Sequence, residues 1–199
     1  MSPSPSAEAP TDGRKARGQA SRRKLVAAMI ALVKEGKVAP TAEQVATRAE
    51  VGLRTVFRHF DDMESLYREI STEVMQLITP QMNKPFKAED WRGRLDEVIE
   101  RRSRMFEAIL PFRIATEALR HTSPTLQQNQ ALLVQLQATL LRRVLPEALQ
   151  QDPVLFAALN LVLGAGTWQQ MRVEQKLDKV TARRTMTLLV HGLLAQQPQ

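Results

Sequence analysis

A chain of 199 residues can bury a sizeable core, and with no cysteine it can form neither a disulfide nor a thiolate metal site. The net charge of +7 suits acidic partners, yet residues 1–75 carry 12 Lys/Arg against 10 Asp/Glu and residues 76–199 carry 16 against 11. Total charge therefore does not locate a nucleic-acid surface; local clustering must. Apolar runs fall well short of the roughly 18 residues a membrane span needs. The opening MSPSPSAEAP lacks the apolar stretch of a secretory signal, so a cytoplasmic protein is expected.

Residues 1–19 offer almost nothing apolar to offset ordering, and a disordered tail is expected there. Arg14, Lys15, Arg17, Arg22, Arg23 and Lys24 form a basic block with only Asp12 nearby. It reads either as an arm on phosphates or in a minor groove, or as a solvated tail. Leu25, Met29, Leu32 and Val33 then share one stripe of a helix over 21–35, ended by Gly36.

In TAEQVATRAEVGLRTVFRHF, residues 41–60, the spacing predicts two short helices, 41–48 and 53–59. Thr41 and Gln44 have capping-box spacing, and Val45, Ala46 and Ala49 make a small apolar face. Glu50, Val51 and Gly52 form the turn. Leu53, Val56, Phe57 and Phe60 are expected to anchor the second helix inward, leaving Arg54, Thr55, Arg58 and His59 outward. A helix-turn-helix has this arrangement, with a rigid pair presenting a short basic helix to a major groove.

A fourth helix is expected from Asp61-Asp62 to Thr79, carrying Leu66, Ile70, Val74 and Leu77 and stopped by Pro80. Asp61, Asp62 and Glu64 resemble a catalytic acid cluster only if that helix is ignored; carboxylates at a helix start cap it. PQMNKPFK marks a boundary. Further helices are expected at 89–109, 111–121, 124–145, 153–175 and 179–196, several opened by Pro. Strands are not. The expected division is a tail over 1–19, a helix-turn-helix domain with its linking fourth helix over 20–79, and a helical domain over 80–199.

The order of an apolar helix ending LVKEG, then T-A-E-Q-V-A, A-E-V-G-L-R-T-V-F-R-H-F and M-E-S-L-Y resembles the DNA-binding domain of the tetracycline-repressor (TetR) family of transcriptional regulators. The resemblance covers roughly residues 20–75. It implies an all-α fold, with an N-terminal three-helix helix-turn-helix domain and a C-terminal helical domain for ligand binding and dimerisation. It implies a sequence-specific regulator, expected to be a repressor, bound as a homodimer to a near-palindromic operator in double-stranded DNA. Thr41, Gly52, Leu53, Arg54, Thr55, Arg58 and His59 become the DNA-binding candidates. Arg54 suits guanine O6 and N7, Thr55 a thymine methyl or a phosphate, Arg58 a base edge or phosphate, and His59 a phosphate.

The family usually has Gly where Glu50 stands, Ser or Thr at Gly52, Tyr at Phe57 and Lys at Met63. A left-handed backbone at Glu50 would cost roughly 1 kcal/mol.

The resemblance also implies a small-molecule effector in the C-terminal domain that shifts the fourth helix on binding. Phe106, Phe112, Arg113, His121, Trp168 and Met171 become pocket candidates, against the plainer reading of core residues. Arg102 joins them. Arg101 and Arg104 have Glu97 and Glu100 four residues upstream, but Arg102, on an apolar stripe, has no such partner. It either snorkels out at a subunit edge or faces an internal cavity that holds an anion.

The last two helices, about 153–175 and 179–196, are the expected dimer interface. Gly164, Ala165 and Gly166 would permit close helix approach, and Ala182, Met186, Leu189, Val190, Leu193 and Leu194 would supply an apolar face. The alternative is that both faces complete the subunit's own core. No catalytic residue, metal site or cofactor is expected. The three histidines are far apart in sequence, and no zinc-protease, nucleotide-binding or nucleophile-elbow pattern is present, so an enzyme is disfavoured. The remaining alternative, a non-specific architectural DNA binder, differs by lacking a large specific-to-random affinity ratio at fixed salt.

Overall fold

A computed structural model describes residues 11–82 and 84–196, with the side chains of residues 11–14, Leu77, Gln81 and Ala118 also outside the described set. Of the tail expected over 1–19, residues 1–10 lie outside it. In chain order come α1 (Thr11–Lys34), α2 (Ala42–Arg48), α3 (Leu53–His59), α4 (Met63–Met82), α5 (Trp91–Arg120) and α6 (Pro124–Arg142). There follow α7 (Glu147–Gln151), α8 (Pro153–Val162), α9 (Ala165–Gln169), a π-helical turn (Gln170–Glu174) and α10 (Lys179–Ala195). The described residues contain no strand. Contacts divide the chain into two compact units, one up to Ile70 and one from Ser71 on. The division falls within α4, short of the boundary expected at PQMNKPFK.

In the first unit, α1 packs on α2 and α3. Leu25, Val26, Met29, Leu32 and Val33 are buried, as their helical spacing requires. Residues 11–19 belong to α1 instead of a tail. Arg14, Lys15, Ala16, Arg17 and Gln19 are helix formers that extend a helix already nucleated by its packed half, against about 1 kcal/mol each at Gly13 and Gly18. Gly36 ends that stretch with φ +87°. The capping box at α2 is formed: Gln44 N–H donates to Thr41 Oγ1 at 3.3 Å, and Thr41 N–H donates to Gln44 Oε1 at 3.0 Å. Asp62 likewise accepts from Ser65 N–H at 2.7 Å, a capping role at the start of α4.

Glu50 adopts φ +55°, the left-handed turn conformation that the sequence suggests. A side chain there crowds the backbone, whereas glycine does not, although glycine gives up more entropy on folding. Glu50→Gly is expected to stabilise the chain by a net ~0.5–1 kcal/mol. A melting temperature unchanged or lowered would contradict this.

In the second unit, α5 packs on α6, α9 and α10. Phe106, Leu95, Ile99, Leu141, Leu159, Leu163, Trp168 and Met186 fill its core. The expected break at Pro111 does not occur, and α5 runs 30 residues through it. An interior proline costs ~3 kcal/mol. Ile109, Leu110, Phe112 and Ala115 are buried on both sides of it, and that packing holds the helix together. α4 similarly continues past Pro80 to Met82.

The helix expected over 153–175 is interrupted instead. Gly164 leaves the helical region at φ −89°, ψ 153°. A Cβ there would stand 3.1 Å from the Leu161 carbonyl oxygen and 3.2 Å from that of Asn160. The small residues thus make a break between α8 and α9. Expected helix 124–145 ends at Arg142, and the short α7 follows Pro146.

Asp90, Ser123, Asp152 and Asp178 cap α5, α6, α8 and α10 with their side chains. Glu107 fastens α5 to α9 and to the segment after it. It accepts from Trp168 Nε1 at 3.2 Å and Arg172 Nε at 2.9 Å, and Lys179 Nζ lies 3.4 Å away. The Arg172 guanidinium holds this carboxyl below the usual range.

Candidate functional site

Seven residues give α3 two turns, enough for one buried stripe. That stripe is Val56 and Phe60, exposed by 1% and 2%. Leu53, at 38%, and Phe57, at 50%, were expected inward and face solvent instead. At ~100° per residue Leu53 and Phe57 lie on the flank of the stripe, nearest Arg54 and Arg58. Neighbouring elements cover the opposite flank, where Thr55 and His59 are half-buried. The outward face of α3 is therefore Leu53, Arg54, Phe57 and Arg58. Gly52 opens the helix without a side-chain cap, and Thr41 is exposed at the start of α2.

Arg22 holds the far end of α3, a role without a local sequence signal. It donates from Nε to Glu69 Oε1 at 3.1 Å, from one terminal nitrogen to Glu69 Oε2 at 2.7 Å, and from the other to the His59 carbonyl at 2.8 Å. Its guanidinium also lies 4.5 Å from the centre of the Phe60 ring. The basic block is thus a stretch of helix with one member committed to an internal clamp. Lys15, Arg23 and Lys24 remain exposed on α1.

His59 Nε2 is enclosed and has no hydrogen-bond partner among the described residues. The ring edge faces α1, since a Cβ at Gly18 would meet His59 Cε1 at 4.0 Å. Burial, then the charges of Arg58 and Arg22, lower the pKa of this imidazole. The unfolded chain, with His near 6.5, binds that proton more readily than the folded one. The neutral ring's contribution to stability is therefore present above about pH 6.5 and is lost as pH falls through the lower folded value. Thermal melts from pH 7.5 to 5.5 should show a steeper loss for the natural protein than for His59→Gln. Parallel slopes would refute the assignment.

In the second unit Arg102 is 4% exposed, which excludes snorkelling. It donates to the Leu163 carbonyl at 3.0 Å and to the Gln137 carbonyl. Burial draws its pKa down to about 10. With Gln137, Met82, Phe86, Val98, Arg101, Met105 and Leu140 it lines a cavity of about 30 Å³. Gln137 escaped notice in the sequence, although it interrupts the buried α6 stripe of Leu126, Leu133 and Leu141.

The other candidates do not converge there. Phe106, Trp168 and Met171 belong to the core, and Phe112 is buried. Arg113 is half-buried, donating to Gln130 Oε1 at 2.8 Å and Gln169 Oε1 at 3.2 Å. His121 is exposed at the end of α5. On α10, Ala182, Met186 and Val190 are fully buried within the subunit. Val154 and Leu161 on α8, and Leu188 and Leu189 on α10, are exposed.

No family model matches the chain, and no curated protein matches it. Among solved structures it is similar to a TetR-family transcriptional regulator from Streptomyces coelicolor, at 13% identity over 90% of each chain, with a TM-score of 0.65. It is also similar to a protein from Mesorhizobium loti described as a TetR-family transcriptional regulator, at 19% identity over 90% of this chain and 97% of that one, with a TM-score of 0.59. Likeness at such identities is one of architecture, and the chain has a TetR-like, all-helical fold.

Proposed function

We propose that the protein is a sequence-specific DNA-binding transcriptional regulator, a homodimeric repressor released from a near-palindromic operator by a small molecule. The carrying observation is the face of α3. Two arginines and two apolar side chains point outward from a helix whose other side is fixed by Val56, Phe60 and the Arg22 clamp. Such a face reads base edges because its support leaves it little freedom to adapt to wrong ones.

In this reading Arg54 donates to guanine, Leu53 and Phe57 contact thymine methyls, and Arg58, Thr55 and Thr41 engage phosphates or bases. Gly52 lets the start of α3 approach the duplex closely, and His59 supports the face from behind through its carbonyl. The unit up to Ile70 does the reading, and the unit from Ser71 on pairs subunits and holds the effector. Among the described residues no helix is long and apolar enough to cross a membrane, and the proposed site of action is DNA in the cytoplasm.

Selection of bound sequences from random duplex DNA tests this directly. A two-fold symmetric motif is the expected product; equal retention of all sequences would overturn the reading and favour an architectural binder.

A further inference from the structure

Arg102 is a buried cation, and no carboxylate of the described residues pairs with it. Its guanidinium has five N–H donors, and the bonds to the Leu163 and Gln137 carbonyls use two of them. Beside it the Gln137 side-chain nitrogen is also buried, with two further donors and no partner. Both residues line one cavity whose remaining walls are Met82, Phe86, Val98, Met105, Leu140 and Arg101. An excess of unsatisfied donors with one uncompensated positive charge, set in a largely apolar wall, is costly unless something supplies oxygen lone pairs and one negative charge.

We propose that Arg102 and Gln137 form the head-group site for a small organic carboxylate with an apolar tail. The inference rests on the reading of this unit as the effector-holding one. A carboxylate accepts from a guanidinium and an amide together and brings the single charge that is missing. A phosphate dianion would need a second uncompensated cation, and Arg101, the other cation of the lining, is already paired with Glu97 at 2.7 Å. The volume of about 30 Å³ exceeds the ~10–15 Å³ that one water needs and suits the head group. The tail must displace the neighbouring apolar side chains.

Those side chains are placed to report the displacement. Phe86 belongs to residues 84–88, the strap that succeeds α4, and this strap is tied to α5. Arg101 donates to the Lys84 and Pro85 carbonyls and lies 4.4 Å from the Phe86 ring centre. Glu97 Oε1 accepts from the backbone N–H groups of Lys87 and Ala88, each at 2.7 Å. A tail that lifts Phe86 works against those bonds and pulls on the segment next to Met82.

Linear alkanoates from butyrate to decanoate, with the matching primary amides as neutral controls, are the probes. Binding to the full-length protein is followed by calorimetry and by melting temperature, and DNA release is followed on the selected duplex. The carboxylates should bind and raise the melting temperature, and the amides should bind at least about 100-fold more weakly. Arg102→Met should lower carboxylate affinity about 100-fold. Gln137→Leu, which removes an orphaned amide and keeps the volume, should fold normally and lower it about 10-fold.

Equal binding of acids and amides, carboxylate affinity unchanged in Gln137→Leu, or no binding of any probe (a cavity holding water alone) would each overturn the site. These results would leave sequence-specific DNA binding intact. Loss of the regulator reading would appear separately, as carboxylate binding in a protein that treats all duplexes alike.

Discussion

Replacing Leu161 and Leu188 together by arginine should convert a dimer to a monomer and lower affinity for a two-fold symmetric duplex at least about a thousandfold. Both side chains are 72% exposed, so neither change disturbs the subunit's own packing. Each lies across its helix from a buried stripe, Leu155 and Leu159 on α8 and Ala182, Met186 and Val190 on α10. Exposed leucines of this size, near Val154 and Leu189 on the same two helices, are expected to meet a second copy. Burying four such leucines across a two-fold axis is worth ~6–8 kcal/mol at about 1.5–2 each, and arginine replaces that gain with desolvated like charge. Sedimentation and DNA titration would measure the two consequences. A double variant that remained dimeric would place the interface elsewhere.

Arg54→Ala should leave folding and dimerisation untouched and nearly erase the preference for the selected sequence over random DNA. Arg54 is exposed on a two-turn helix, and surface changes of this kind shift stability by no more than about 0.5 kcal/mol. A bidentate guanine contact discriminates by ~1–3 kcal/mol, and a dimer makes it twice, so specific affinity should drop by about 30-fold to 10⁴-fold. Affinity for random duplex should fall only by the loss of one cation per subunit, with a correspondingly shallower salt dependence. Unaltered discrimination would remove Arg54 from base reading and put the burden on Arg58 and its neighbours.

The helix-turn-helix was legible because its determinants are local. Thr41 and Gln44 cap each other, Glu50 occupies the left-handed turn, and α3 spans the expected residues. What spacing could not reveal was which flank of a two-turn helix the rest of the unit would cover, and so Leu53 and Phe57 were expected on the wrong side. The same ambiguity affects α10, which is apolar around much of its circumference. The stripe of Ala182, Met186 and Val190 goes to the subunit core, and Leu188 on another side stays exposed. Pro111 misled because a local helix breaker was outweighed by burial contributed by distant segments. Arg102 was recognised as odd from its stripe, but its partnership with Gln137 depends on helices 35 residues apart in the chain.

One consequence follows from how labour is divided along α3. Val56 and Phe60 are the buried residues of this helix end and Arg22 grips the His59 carbonyl, while Leu53, Arg54, Phe57 and Arg58 are all exposed. Those four positions can therefore be exchanged as a set, like type in a printer's frame, giving new target sequences without redesigning the scaffold.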